Sequence, residues 1–292
     1  MVYLWFLSSF MNTSLSRLPL NKQQELQRVT QLIVETVHPE KIILFGSYAT
    51  GNWVEEKYTE GHITYEYISD YDLLVITKSG EKRKDYEIAD QLKNRLRFRV
   101  PVNIITHDIE YINRKLKEGQ YFFTDIVREG ILLYDAGDTL FAVPKELSAD
   151  ERKMIVQKDF DNWFSSAEEF LVDAKNAFQR KSFKNSIFYL HQAAERIYNT
   201  VLLVFTGYKP KTHNLDKLRS FSKTFSAELY LIFPCNTKEE EYLFSLLQKG
   251  YIEARYNNDF KISETELTTL IKRVDELLGI TEKICKQQIE AI

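Results

Sequence analysis

Cysteine is nearly absent. The 292 residues hold two, Cys235 and Cys285, and neither has another Cys or a His nearby at zinc-ligand spacing, which excludes a disulfide framework and a zinc ribbon. The scarcity fits a reducing, cytoplasmic setting. Glycine and proline are also scarce, at 10 and 6, which argues against long disorder and loop-rich folds. No charge of one sign dominates: the formal net charge is -3, so nucleic-acid binding would need a local basic patch. Nor is there an apolar run long enough to span a bilayer. The opening Met1 to Phe10 is apolar, but it is short and has no basic segment before it, so no membrane association is expected. It reads as an extension, with Met11 an alternative start.

Hydrophobic residues make up 44% of the chain and charged residues 28%, enough to bury a substantial core, and the length suits two domains of about 150 residues. From Asn21 to His38, Leu26, Val29, Ile33 and Val37 recur at helical steps and Pro39 ends the run. Lys41 to Phe45 reads as a buried strand stopping at Gly46. The polar stretch from Asn52 to Tyr67, around Glu60-Gly61, suits an inserted hairpin. Tyr71 to Thr77 is a second buried strand, Arg83 to Arg97 a helix, and Val100 to Thr106 a third strand with Pro101 near its start, where a missing N–H costs least. Asp108 can cap a helix through Lys117, and a short helix near Phe122 to Arg128 and a strand Ile131 to Tyr134 close a domain over 20–145.

From Ser148 the texture changes. Strand-like alternation stops and helical periodicity takes over, with helices expected over 151–179, 182–206, 214–224, 227–233, 238–254 and 263–288. Breaks fall at Gly207-Tyr208-Lys209-Pro210, at Pro234 and at Asn257-Asn258-Asp259. The fold class is therefore α+β, an N-terminal α/β domain followed by an all-α bundle over 148–292.

Asp70 and Asp72 stand two apart at the start of a buried strand, so both carboxylates leave one face of the sheet. Two carboxylates there can hold a divalent cation such as Mg2+, which keeps part of its shell for water and phosphate oxygens. In two-metal catalysis one ion activates the attacking oxygen and the other holds the triphosphate. Gly46-Ser47 supplies a complementary part: Gly lets the backbone approach a phosphate, and a helix starting at Ser47 aims N–H groups at it. Asp-x-Asp alone is more often a pair of surface carboxylates or turn caps. Strand, Gly-Ser, helix start, Asp-x-Asp and apolar strand in order within one unit is a more specific pattern.

Gly46-Ser47-Tyr48-Ala49-Thr50-Gly51 followed by Ser69-Asp70-Tyr71-Asp72-Leu73-Leu74-Val75 resembles the motifs of the minimal nucleotidyltransferases of the polymerase-β superfamily, a group that includes kanamycin nucleotidyltransferase. The resemblance covers roughly 22–135. It implies a small mixed sheet, a Gly-Ser turn (Gly46, Ser47) on the triphosphate of ATP or another NTP, and Mg2+ on Asp70 and Asp72. The activity implied is transfer of a nucleoside monophosphate to a hydroxyl acceptor, a protein or a small molecule. The chain departs from the pattern twice. The segment between the two motifs is longer than usual, which fits the hairpin, and the third carboxylate position carries Asn103, an amide that can ligate metal but is no base at neutral pH. Glu66 and Asp108 are the other acidic candidates.

In the helical half, Tyr189 to Arg196, Phe205 to Leu215 and Tyr251 to Tyr256 resemble HEPN domains over about 155–285, which implies an antiparallel bundle and a homodimer. Many HEPN domains are ribonucleases with Arg, four to six residues, then His. None of the five His, at 38, 62, 107, 191 and 213, has an Arg five to seven positions before it. Lys209, His213 and Arg255, with Lys211, can form an anion site, and a solvated charged loop is the equal alternative. His191 reads as a satisfied buried imidazole and His213 as a capping or loop residue. Nucleotidyltransferase and HEPN pairs form toxin–antitoxin systems, so a second reading stands beside the enzyme: a catalytically weak or inactive nucleotide-binding regulator with a dimerising HEPN domain.

Overall fold

The apolar stripe of the first helix decides where the first sheet is covered. In the computed structural model α1 runs Leu20–Val37 and buries Leu26, Val29, Ile33 and Val37, the four residues at helical spacing. It ends where His38 takes a left-handed conformation, φ 52°, followed by Pro39, which cannot continue a helix. The structure describes residues 11–292 apart from 61–62, 84–86, 89–90, 93–94, 96–97 and 99, and only the backbone of the remaining residues of 56–68. Residues 1–10 and most of the helix expected over 83–97 thus lie outside the described residues. Ile88, Leu92 and Val100 of that region pack into the core that α1 covers.

The chain divides into two compact units, residues 1–146 and 147–292. In the first, β1 (Lys41–Phe45) leads into a one-turn helix α2 (Ser47–Thr50), the hairpin strands β2 (Glu55–Glu60) and β3 (Ile63–Ile68), then β4 (Tyr71–Thr77) and β5 (Val102–Asp108). Helices α3 (Ile109–Lys117) and α4 (Tyr121–Glu129) and strand β6 (Ile131–Asp135) follow. The four-stranded sheet has the order β5-β4-β1-β6. β4 pairs parallel with β5, whereas β1 pairs antiparallel with both β4 and β6, so the sheet is small and mixed. β2 and β3 form a separate two-stranded sheet, the inserted hairpin. Lys22 reaches Glu55 at 3.0 Å and ties the hairpin's base to α1.

Strand alternation sends Ile42, Leu44, Tyr71, Leu73 and Val75 to the α1 side and the intervening residues, Asp72 among them, to the other face. Asp108 caps α3 by accepting from the Tyr111 backbone N–H at 2.7 Å.

The second unit is all helix. A capping box of Ser148 and Glu151 starts α5 (Ala149–Gln179), and a second one, Ser263 with Glu266, starts α11 (Glu264–Ala291). Between them, α6 (Phe183–Thr206) is buried on nearly every side from Leu190 to Val204, so it is the axis on which α5 and α11 pack. The shorter α7 (Leu215–Ser222), α8 (Ala227–Leu231), α9 (Lys238–Lys249) and α10 (Glu253–Tyr256) complete the bundle. The helix expected over 238–254 is two helices. Gly250 lies so close to Ile187 that a Cβ there would sit 2.7 Å from its carbonyl oxygen, and Tyr251 and Ile252 turn the chain before α10 begins.

Candidate active site

Asp72 lies on a row of residues running across the sheet, paired with Phe45 of β1 on one side and Asn103 of β5 on the other. Partners in register project to the same face, so the parallel β4–β5 pairing sets Asn103 beside Asp72. Asp70 stands just before β4, two residues earlier and on that same face. Its approach is pinned by Ser69, whose N–H donates to the Val54 carbonyl at 2.9 Å while its hydroxyl accepts from the Val54 N–H at 2.9 Å.

The three side chains converge. The Asn103 amide nitrogen donates to Asp70 Oδ2 and to Asp72 Oδ1, each at 3.1 Å. The orientation follows from chemistry, because ionised carboxylates only accept, so the NH2 end must face them. Like charges held this close repel, and by less where solvent reaches them, as it does Asp70. The amide relieves part of that repulsion without adding a charge.

Gly46 borders the pair. It has φ 70° and ψ -153°, a region that in practice only glycine occupies, and a Cβ there would collide with the Asp72 carboxylate. The turn that follows, α2, is four residues long. The helix expected at Ser47 is thus a single turn, in which the Ala49 and Thr50 N–H groups return to the Gly46 carbonyl and little macrodipole accumulates.

Beneath the site, on the α1 face, Tyr71 donates its hydroxyl to Glu25 Oε2 at 2.9 Å, and the Tyr48 ring lies 4.5 Å from the Tyr71 ring and stacks on Trp53 at 5.3 Å. Burial first, then the Glu25 hydrogen bond and charge, push the Tyr71 phenol well above its ordinary value. Burial and the charges of Glu55, Glu25 and Asp70 do the same for Tyr48. Both phenols therefore stay neutral and act as packing, not as bases. Sequence reasoning missed this support; its only signal was the aromatic character of the residues beside each motif.

Of the other acidic candidates, Asp108 does not join the site. It is at the far end of β5, roughly 16 Å from Asn103 at about 3.3 Å per residue, and is occupied as a cap. The Glu66 side chain lies outside the described residues. No group of three or more His, Cys, Asp or Glu suited to a metal occurs among the described residues. The two carboxylates on one face still fit a hard, oxygen-seeking ion such as Mg2+ that keeps water and phosphate in its shell.

In the second unit, Glu195 stands between two imidazoles. His213 Nδ1 lies 3.0 Å from Glu195 Oε2, and His191 Nε2 lies 3.6 Å from the same oxygen, while His191 Nδ1 meets the Leu247 carbonyl at 3.0 Å. Burial alone would raise the Glu195 carboxyl, but the hydrogen bonds and charges of the two histidines outweigh it and hold it below the usual carboxylate range. Tyr251 stacks against both rings, at 5.2 Å from His191 and 4.6 Å from His213, and Arg255 lies over the Tyr251 ring at 4.8 Å. His213 and Arg255 are thus brought to one aromatic residue. Lys209 sits elsewhere, over Trp163 at 5.2 Å, beside Arg196 over the same ring at 4.8 Å. The His191–Glu195 spacing of four was visible on the helix, but the link from Glu195 to His213 is tertiary and was not.

Residues 160–284 match the family model of the HEPN domain. A protein of Methanocaldococcus jannaschii, provisionally named a protein adenylyltransferase, is 35% identical over 94 residues, 32% of this chain and 77% of that protein. A crystal structure of a nucleotidyltransferase-like protein from Exiguobacterium sibiricum aligns with 90% of this chain and 78% of its own, at 14% identity and a TM-score of 0.32, too distant to carry an argument. Identity with the archaeal protein and the HEPN match together place the chain in the nucleotidyltransferase family, as a fusion of a nucleotidyltransferase domain to a HEPN domain.

Proposed function

We propose that the N-terminal unit transfers a nucleoside monophosphate, AMP from ATP being the first candidate, to a hydroxyl on a protein or small molecule in a Mg2+-dependent reaction. The observation that carries this reading is the convergence of Asp70, Asp72 and Asn103 on one face beside Gly46. Asp70 and Asp72 would hold Mg2+, which when bound would neutralise phosphate charge during transfer. Gly46 and Ser47 would cradle the triphosphate, since the bare backbone at Gly46 admits a close approach. The acceptor oxygen would attack the α-phosphorus, forming one P–O bond as the bond to pyrophosphate breaks. Asn103 cannot receive the acceptor's proton, so that proton leaves to water and the rate is lower than in a site with three carboxylates. The name of the archaeal relative supports adenylyl transfer to protein as the first activity to assay.

An assay of Mg2+-dependent pyrophosphate release with the four nucleoside triphosphates, over candidate hydroxyl acceptors, tests the proposal. Release with one nucleotide and label transferred to an acceptor is the expected result. Binding without release would favour the second reading, a nucleotide-binding regulator, which draws on the Asn103 amide already engaging both carboxylates.

The helical unit is proposed to pair with a second copy. Met154, Ile155 and Val172 of α5 are 67%, 42% and 55% exposed, and covering them would remove apolar surface from water. A dimeric mass of the full chain by light scattering is expected. His213 and Arg255, gathered on Tyr251, with Lys209 nearby in sequence, remain the proposed anion-binding residues of this half.

A further inference from the structure

We infer that Asn103 is a positioning residue, a neutral strut that holds the two carboxylates ready while denying the site to a free cation, so that the metal enters only together with a phosphate-bearing ligand. The inference rests on the nucleotide reading above and adds the order in which the ligands are taken up.

The geometry points this way for three reasons. The amide nitrogen is 3.1 Å from an oxygen of each carboxylate, so its two N–H groups stand on the side of the pair where a bare ion would be shared. An NH2 group is a donor only; it satisfies the carboxylates as a weak cation does, and a metal must displace at least one of those hydrogen bonds. Finally, two carboxylates are few ligands for an ion that takes about six oxygens and gives up water reluctantly. A triphosphate brings the missing oxygens and negative charge, and with them a reason for the amide to yield. A carboxylate at position 103 would reverse this balance: without a metal three like charges would crowd one face, and a free cation would be drawn in.

The test uses the full-length protein with Mn2+ and Mg2+ as probes. Free Mn2+ is counted by electron paramagnetic resonance, and thermal unfolding is followed with no metal, with Mg2+ alone and with Mg2+ plus ATP. The wild type is expected to hold no tight Mn2+ and to shift by less than about 1 °C with Mg2+ alone. Asn103→Asp is expected to melt lower than wild type in the absence of metal, to bind one Mn2+, and to regain about 5 to 10 °C with Mg2+ alone. Asn103→Ala keeps the assay informative if the charged variant fails to fold: it also melts lower without metal, because the strut is gone.

One tight Mn2+ on the wild type would overturn the inference. So would Asn103→Asp and Asn103→Ala both melting at the wild-type temperature without metal. The nucleotide reading fails separately. If Mg2+ with ATP leaves the wild type unshifted while Asn103→Asp gains its Mn2+, the strut stands and the nucleotide does not.

Discussion

The two units each build a polar cluster around carboxylates, and they balance it in opposite ways. In the first, two carboxylates share one neutral amide, whose N–H groups add no charge of their own. In the second, one carboxylate is shared by two imidazoles and backed by a tyrosine ring, so its charge is answered from within the fold. A neutral amide can be exchanged for a cation, whereas imidazoles that meet a carboxylate can supply the positive charge themselves. The contrast favours the α/β unit for the proposed chemistry, and in the bundle Glu195, His191 and His213 also hold α6, the 207–214 connection and the α9–α10 corner together.

Removing the two carboxylates should have the largest effect. Asp70→Ala with Asp72→Ala is expected to abolish nucleotidyl transfer and to erase the rise of about 5 to 10 °C in melting temperature that Mg2+ with ATP is expected to give the wild type at a hundredfold excess over the dissociation constant. An equal rise in the double variant would remove the pair from the site. Adding a third carboxylate comes next. Asn103→Asp introduces a third ligand and a possible base, so in saturating Mg2+ it should raise transfer by about 10²- to 10⁴-fold, or roughly 3 to 5 kcal/mol of barrier; slower turnover than wild type would refute a base at this position.

A smaller effect follows from the backbone beside the pair. Gly46→Ala forces a Cβ into a glycine-only conformation and against Asp72, and should cost about 1 to 3 kcal/mol of stability. Urea unfolding measures it, and a loss under about 0.5 kcal/mol would mean the turn relaxes freely.

The balanced cluster gives the mildest response, and a pH-dependent one. The folded Glu195 carboxyl lies below its ordinary value of 4.5. Its contribution is therefore fully present above pH 4.5 and is lost as pH falls through the lowered folded value. Glu195→Gln should cost about 1 to 2 kcal/mol at pH 7, and the gap to wild type should close as the pH is lowered below that range. A gap unchanged between pH 7 and pH 3 would show that packing, not charge, accounts for the loss.

Local periodicity and turn chemistry were enough to place most elements of this protein. The α1 stripe, the β1 and β4 runs, the Asp108 cap and the long helices each depend on neighbours within a few residues, whose spacing is written in the chain. Gly46-Ser47 and Asp70-Tyr71-Asp72 were legible for the same reason, since two residues on one strand share a face whatever the rest of the fold does. The close packing at Gly250 was not legible, because the contact that requires a glycine there is with Ile187, about sixty positions earlier. What Asn103 does was decided only by the parallel pairing of β4 with β5, which sets it opposite Asp72, and the joining of Glu195 to His213 only by the packing of the bundle. Sequence determines which groups a segment can offer, because that depends on short-range sterics. Which groups meet depends on strand register and helix packing, which are settled by burial across the whole unit.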